Sequence, residues 1–171
     1  TKYTVVYFYP KDNTPGCAIE AKRFSDALPQ FKKLGVTVIG ISGGDAKTKE
    51  KFCDKHDLKL ILLSDPEFKV ATALECFGDK SFMGKSYKGI FRNTYLLDVN
   101  KKVLIAYEKA KPLSHADELI ADIKKLEDYL DKIAITKNGY CINKKTGNII
   151  KAIIPVHLFG HSCKIEHLKK I

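Results

Sequence analysis

The chain has 171 residues, a formal net charge of +10 and a hydrophobic fraction of 44%, enough to bury the core of one domain of ordinary size. It has no run of about 18 or more apolar residues and no signal-peptide pattern at Thr1, which argues against a membrane span and against secretion. Its positive charge comes from dispersed lysines, with arginine only at Arg23 and Arg92, and no nucleic-acid motif accompanies it. We therefore expect a cytoplasmic protein that binds neither nucleic acid nor a membrane.

An alternation of apolar strands and amphipathic helices predicts an α/β fold. The predicted strands are Thr4–Tyr9, Val36–Ile41, Leu60–Leu63, Thr94–Asp98 and Val103–Tyr107, and the predicted helices are Cys17–Leu34, Ala46–His56, Pro66–Phe77 and Ser114–Leu130. Two strands that are each followed by a helix imply parallel pairing with right-handed crossovers, and the turn at Asp98–Asn100 implies an antiparallel hairpin. The sequence therefore predicts a central mixed sheet flanked by helices.

Cys17 stands where the first strand has ended, a turn has followed and a helix begins. The turn formers after Pro10 end the strand, and Thr14-Pro15-Gly16 leads into the predicted helix. The sulfur would therefore lie among unpaired backbone N–H groups, and helix N-termini favour the nucleophilic thiolate. The alternative interpretation is a buried structural cysteine, which is common for this residue.

The spacing P-x-x-x-T-x-x-C, here Pro10, Thr14 and Cys17, resembles the peroxidatic signature of the peroxiredoxins. The segment KSFMGKSYKGIFRNTYLLD, residues 80–98, is similar to the part of that family that carries its active-site arginine on a strand, here Arg92. The resemblance is closest to the bacterioferritin-comigratory or Q-type subgroup and covers roughly residues 3–128. It implies a thioredoxin-like fold and a thiol-specific peroxidase for hydrogen peroxide and small organic hydroperoxides. It further implies no cofactor, a monomer or weak dimer, and thioredoxin or a similar dithiol as the reductant.

The resemblance also implies a role for each matched residue. Cys17 would attack a peroxide oxygen, and Arg92 would stabilise the thiolate and the transition state with a permanent charge and a planar fork of donors. Thr14 would supply a hydroxyl near the sulfur, and Pro10 would shape and dry the pocket wall. Glu20 matches a position that is often acidic or amide in the family. We interpret it as a solvated carboxylate in the first helical turn and leave it out of the predicted site.

A resolving cysteine is also implied by the resemblance. Many members of the subgroup carry it five residues after the peroxidatic cysteine, where this chain has Lys22, whereas others carry it on a later helix. Cys53, 36 residues after Cys17, lies in a comparable place and would condense with the sulfenic acid of Cys17 to an intramolecular disulfide. If the reduced fold holds the two Cα atoms more than about 7 Å apart, the turn around Cys17 must unwind. The alternative is a core thiol at Cys53 and a one-cysteine enzyme; Cys76 is expected to be a core residue near a helix end.

Two domains are expected, residues 1–132 and a C-terminal extension, residues 133–171. The resembled family normally begins with a β-hairpin ahead of the first strand found here, so the chain looks truncated at its N-terminus. An inactive thioredoxin-like fragment is therefore the alternative function. The extension is predicted to form a strand, a loop at Phe159–Ser162 and a short basic helix.

The extension contains the pattern A-I-I-P-V-H-L-F-G-x-x-C, which resembles a piece of the pyridoxal-phosphate-dependent sugar aminotransferases. That family's Schiff-base lysine motif and its pyridinium-binding acidic motif are not matched, so no pyridoxal phosphate residue is expected. A zinc site is the other alternative, from His157, His161, Cys163 and His167 with Cys141 nearby. Their spacing fits no common zinc finger, and we expect no metal site.

Overall fold

The computed structural model describes residues 1–82 and 84–150. The strands within these residues are β1 (Tyr3–Phe8), β2 (Val36–Ser42), β3 (Ile61–Ser64), β4 (Phe77–Phe82), β5 (Lys85–Ile90), β6 (Thr94–Leu97), β7 (Val103–Tyr107), β8 (Ala134–Lys137) and β9 (Tyr140–Asn143). The helices are α1 (Pro15–Lys33), α2 (Ala46–His56), α3 (Lys69–Ala73) and α4 (His115–Ile133). Across these two ranges, no helix combines the length and the apolar character that a membrane crossing requires.

A mixed sheet of five strands, in the order β3-β2-β1-β6-β7, forms the centre of the fold. β1 pairs in parallel with β2, and β2 pairs in parallel with β3. β1 pairs antiparallel with β6, which forms an antiparallel hairpin with β7. The predicted mixed sheet is confirmed. Since α1 and α2 connect the parallel strands, both helices begin at the edge of the sheet where β1 and β2 end.

Stacked aromatic rings hold α1 against the sheet. Tyr7 on β1 lies 5.5 Å from the ring of Tyr9 and 4.6 Å from the ring of Phe24 on α1, measured between centroids. Phe24 in turn contacts the ring of Phe31 at 5.9 Å. All four rings are buried, so they contribute much of the apolar area that folding removes from water on this face.

A second cluster of buried residues contains Cys76, which lies shortly after α3. Its other buried members are Phe8, Ile41, Ala71 and Ile90. The thiol of Cys76 donates to the carbonyl of Leu74 at 3.4 Å, and burial raises its pKa. The prediction that Cys76 is a core residue is confirmed.

The predicted helix Pro66–Phe77 is wrong at both ends. The carboxylate of Asp65 accepts the backbone N–H groups of Val70 and Ala71 at 3.3 and 2.8 Å, so the helical turn of α3 begins only at Lys69. Glu75 adopts a positive φ of 55°, which ends the helical path, and Phe77 then opens β4. The left-handed backbone of Phe68, with a φ of 54°, and the carboxylate of Asp65 therefore mark the start of this short helix.

Two antiparallel hairpins, β4–β5 and β8–β9, are not among the predicted elements. β5 is mostly exposed, so its sequence carries little of the apolar alternation that reveals a strand. The second hairpin turns at Asn138 and Gly139, which have positive φ angles of 52° and 79°. The Asn-Gly pair is a strong hairpin signal that the sequence offered.

The second of the two compact units in the chain begins at Leu119 and contains β8 and β9. The domain boundary expected after residue 132 stays a prediction. The predicted loop Phe159–Ser162, the aminotransferase-like pattern and the candidate zinc ligands His157, His161, Cys163 and His167 lie outside the described residues.

His115 begins α4 and is fully buried, with its Nε2 2.8 Å from the hydroxyl oxygen of Thr94. Its ring lies edge-on to Phe24 and Tyr107, at centroid distances of 5.7 and 5.2 Å. Burial, assisted by the positive charge of Arg92, lowers the pKa of His115 to about 4 from its ordinary 6.5. Protonation of this imidazole is therefore disfavoured in the folded chain.

We expect His115 to contribute to acid unfolding. Because its folded pKa is depressed, the unfolded chain binds the extra proton first, so stability is lost as the pH falls from about 6.5 towards about 4. By about pH 4.5 this loss amounts to about 2 kcal/mol. Urea unfolding of the parent and of His115→Gln across this range measures it, with the half-exposed His56→Gln as control. An equal acid loss in the parent and in His115→Gln would contradict the assignment.

Candidate active site

The thiol of Cys17 lies in the first turn of α1, at the carboxyl end of the central strand β1. Thr14 is the N-cap residue with an extended backbone, and Pro15 is the first helical residue, where its fixed φ suits the helix and its missing N–H costs nothing. Cys17 is 1% exposed and forms no disulfide. The predicted position of Cys17 at a helix N-terminus is therefore confirmed.

Arg92 contacts Cys17 although 75 residues separate them in the sequence. Its Nη2 donates to the sulfur of Cys17 at 3.4 Å, and its Nη1 forms an ion pair with the carboxylate of Glu20. A guanidinium N–H stabilises an anionic sulfur more than a neutral thiol, because the hydrogen bond is then charge-assisted. The arrangement thus places a permanent cation and a hydrogen-bond donor directly against this sulfur.

Backbone hydrogen bonds position Arg92 in the short segment between β5 and β6. Immediately before Arg92, the N–H of Phe91 donates to the carbonyl of Cys76 at 2.6 Å. The carbonyl of Arg92 itself accepts the N–H of Ala110 at 2.9 Å, and that of Asn93 accepts the N–H of Phe8 at 2.8 Å. The expectation that Arg92 lies on a strand is wrong. Arg92 lies in the short segment between the end of β5 at Ile90 and the start of β6 at Thr94.

Glu20 belongs to the site, and its interpretation as a solvated carboxylate is wrong. It lies three residues after Cys17 on the same face of α1 and is fully buried. Burial raises the pKa of Glu20 from 4.5 to about 7, while the charge and the hydrogen bond of Arg92 oppose that rise. The i, i+3 spacing from Cys17 is the signal that could have brought Glu20 into the predicted site.

Replacing Glu20 by glutamine tests this protonation. Because the pKa of Glu20 is raised in the folded chain, its contribution to stability is full below about pH 4.5 and is lost as the pH rises through 7. We therefore expect the free energy of unfolding of the parent, relative to Glu20→Gln, to fall from about pH 5 to about pH 8. Urea unfolding measures this difference, with the exposed Glu67→Gln as control. A difference that grows with pH would mean that Arg92 keeps Glu20 ionised.

Two other predicted residues, Pro10 and Thr14, lie in the loop that joins β1 to α1. Pro10 is half-buried in the turn that follows the strand. The hydroxyl of Thr14 donates to the carbonyl of Lys11 at 3.2 Å and so closes the loop on itself. The expected roles of Pro10 as pocket wall and of Thr14 as hydroxyl donor stay predictions.

Cys53 lies in the second half of α2 as a half-buried free thiol. Burial raises its pKa, the charges of Asp54 and Asp12 add to that rise, and the charge of Lys49 opposes it. Burial raises the pKa of the Tyr7 hydroxyl, and the nearby Tyr9, Glu20, Cys17 and Cys53 add to that rise, in decreasing order. The stacked rings of Tyr7 and Tyr9 contact Phe24 on α1 and Phe52 on α2, respectively, so the helices that carry the two cysteines pack on the same face of the sheet.

Cys53 also lines a shallow groove between α2 and β3. The other lining residues are Ala46, Lys49, Glu50, Asp54, Leu60, Leu62, Leu63 and Ser64.

Among the described residues, His, Cys, Asp and Glu side chains form no group of three or more that could hold a metal ion.

Comparison with protein families gives two matches along the chain. Residues 1–106 match the AhpC/TSA family, and residues 112–171 match the DegT/DnrJ/EryC1/StrS aminotransferase family. The second match includes the segment with the aminotransferase-like pattern. The first contains Cys17, Cys53 and Arg92.

Comparison with individual proteins gives relatives along most of the chain. This chain is 39% identical over 127 residues to peroxiredoxin Bcp of Bacillus subtilis (strain 168). The match covers 74% of this chain and 81% of that relative. A structure of the Xanthomonas campestris bacterioferritin comigratory protein, described for its alkyl peroxide reduction activity, is 36% identical with a TM-score of 0.69. That match covers 72% of this chain and 78% of the other.

Two structures of Xanthomonas campestris peroxiredoxin Q are cysteine-to-serine variants, at positions 36 residues apart in that protein's own numbering. Each is 36% identical to this chain with a TM-score of 0.68. Both matches cover 73% of this chain; the first covers 79% of its variant and the second covers 80% of its variant.

Proposed function

The chain belongs to the AhpC/TSA family of peroxiredoxins and is a thiol peroxidase, and on that premise we propose that Cys17 is its peroxidatic residue. The observation that carries the proposal is the hydrogen bond from Arg92 to the buried sulfur of Cys17. A permanent cation in contact with a cysteine at a helix N-terminus is the environment that a thiolate nucleophile requires.

The first step is attack of the Cys17 thiolate on one oxygen of the hydroperoxide. A sulfur–oxygen bond forms and the O–O bond breaks, so that the sulfur becomes a sulfenic acid. The other oxygen leaves with the electron pair of the O–O bond and takes up a proton, giving water or an alcohol. Arg92 donates hydrogen bonds where negative charge moves from sulfur to oxygen, which stabilises the transition state.

The second step is resolution by Cys53. Its thiol attacks the sulfenic sulfur, the S–OH bond breaks, and water leaves as the Cys17–Cys53 disulfide forms. The spacing of 36 residues between the two cysteines supports this pairing, because the same spacing separates the cysteines replaced in the two peroxiredoxin Q variants. A dithiol reductant such as thioredoxin then reduces the disulfide by thiol–disulfide exchange and is itself oxidised.

The proposed substrates are hydrogen peroxide and small organic hydroperoxides. The alkyl peroxide reduction described for the Xanthomonas campestris relative supports the organic class.

A coupled assay tests the proposed function. Thioredoxin, thioredoxin reductase and NADPH are supplied with hydrogen peroxide or cumene hydroperoxide, and NADPH oxidation is followed. We expect turnover of both peroxides by the chain and none by Cys17→Ser. Peroxide consumption without thioredoxin-dependent turnover would contradict the proposed reductant. No consumption of either peroxide would support the alternative of an inactive thioredoxin-like fragment.

A further inference from the structure

A buried ion pair joins the loop before Cys17 to the helix that carries Cys53. The Nζ of Lys49 lies 2.6 Å from Oδ2 of Asp12, and the two side chains are only 5% and 4% exposed. Burying two charges is costly unless they are paired and hydrogen-bonded. A pair this deeply buried therefore constrains the two segments that carry it.

The pair is fully hydrogen-bonded. Lys49 directs its three donors to Asp12, to the hydroxyl of Ser42 at 2.6 Å and to the carbonyl of Gly43. The second oxygen of Asp12 accepts the hydroxyl of Tyr9 at 2.7 Å. Because every member has its partner, opening the network exposes several polar groups at once.

The two residues of the Asp12–Lys49 pair lie close in sequence to the two cysteines, one beside each. Asp12 lies in the loop between β1 and α1, five residues before Cys17, and Lys49 lies one helical turn before Cys53 on the same face of α2. No step of peroxide attack at Cys17 uses either residue. The pair connects the peroxidatic segment to the resolving segment without taking part in their bond chemistry.

The positions of the two cysteines along their helices favour a movement before the two sulfurs bond. Both helices begin at the same edge of the sheet, but Cys53 lies about 10 Å along the axis of α2, whereas Cys17 is in the first turn of α1. A disulfide needs Cα atoms within about 7 Å, and this offset points to a movement of α2 or of the loop before α1 as the way to bring the two sulfurs together. A movement that carries either segment away from the other breaks the contact between Asp12 and Lys49.

We propose that the Asp12–Lys49 pair keeps α2 in its observed position while Cys17 reacts, and so sets the rate at which Cys53 reaches the sulfenic acid. This inference rests on the proposed function. A slow resolving step leaves the sulfenic acid exposed to a second peroxide, which adds another oxygen to the sulfur and leaves as water or alcohol, giving a sulfinic acid. The pair thus determines how the sulfenic acid is divided between disulfide and over-oxidised product.

Replacing Lys49 by methionine, which keeps the apolar stem and removes the charge, tests this role. We expect disulfide formation to become at least about fivefold faster, and the sulfinic fraction at high peroxide to fall, because α2 opens more readily. Rapid-quench mass spectrometry of the Cys17 peptide over a series of peroxide concentrations measures the ratio of the two products. Faster hydrogen exchange of α2 amides in the variant is the accompanying structural readout.

Lys51→Met is the matched control, because Lys51 is exposed on the same helix; its product ratio should equal that of the parent. If Lys49→Met does not fold, the double variant Asp12→Asn/Lys49→Met, which buries no lone charge, carries the same expectation. An unchanged ratio in a folded variant would overturn the inference alone. A parent chain that forms no Cys17–Cys53 disulfide would overturn the resolving role of Cys53, and this inference with it.

Discussion

Replacing Arg92 by methionine is expected to slow the reaction of Cys17 with hydrogen peroxide by about 100-fold or more, the usual effect of removing a donor from developing negative charge. Arg92 donates directly to the sulfur of Cys17, and methionine leaves that contact without a donor or a charge. Stopped-flow measurement of thiol oxidation at several peroxide concentrations gives the second-order rate constant.

Two further variants separate the possible causes of that loss. Arg92→Lys keeps the charge but cannot donate to Cys17 and Glu20 from one planar group, so we expect it to recover only part of the rate. The double variant Arg92→Met/Glu20→Gln removes the carboxylate that Arg92→Met leaves buried without its cation. We expect the double variant to regain stability without regaining rate. A folded Arg92→Met chain that reacts as fast as the parent would contradict the role of Arg92.

Replacing Cys53 by serine is expected to change the product rather than the first step. Without a second thiol, the sulfenic acid of Cys17 cannot form the intramolecular disulfide, and excess peroxide carries it on to sulfinic acid. Thioredoxin-dependent turnover should fall by about tenfold or more, because no disulfide is presented to the reductant. The rate constant for the first oxidation of Cys17 should stay within about twofold of the parent, since Cys53 makes no contact in that step.

Cys76→Ser and Cys141→Ser are the controls for Cys53→Ser, because both of these cysteines are also free in the folded chain. Each should retain the Cys17–Cys53 disulfide, although Cys76→Ser should cost stability because it removes a buried thiol from an apolar cluster. Full thioredoxin-dependent turnover by Cys53→Ser would instead indicate a one-cysteine enzyme that uses an external thiol.

The central sheet and the long helices were predictable because their signals are local. Runs of β-branched and aromatic residues mark β1 and β2, and apolar spacing marks α1 and α2, close to their observed bounds. The start of α3 was not predictable in this way, since a single carboxylate, that of Asp65, caps Val70 and Ala71. The β4–β5 hairpin carries too little apolar alternation to reveal itself.

The candidate site likewise contains residues that the sequence motifs predict and residues whose burial only the folded structure reveals. The resemblance of the P-x-x-x-T-x-x-C motif and of the segment around Arg92 to the peroxiredoxins implied that Cys17 and Arg92 come together, and the contact between them confirms this. The burial of Glu20 depends on a partner 72 residues away, and that of Lys49 on one 37 residues away. A charged residue on a helix is ordinarily solvated, so only the folded structure reveals that these two are buried and paired.

The most direct measurement of the central claim is the identity of the cysteine that reacts first. The reduced chain is treated with one equivalent of hydrogen peroxide, digested without reducing agent and mapped by mass spectrometry. We predict a Cys17–Cys53 disulfide, with Cys76 and Cys141 unmodified. An unmodified Cys17 beside other oxidised cysteines would contradict its assignment as the peroxidatic residue.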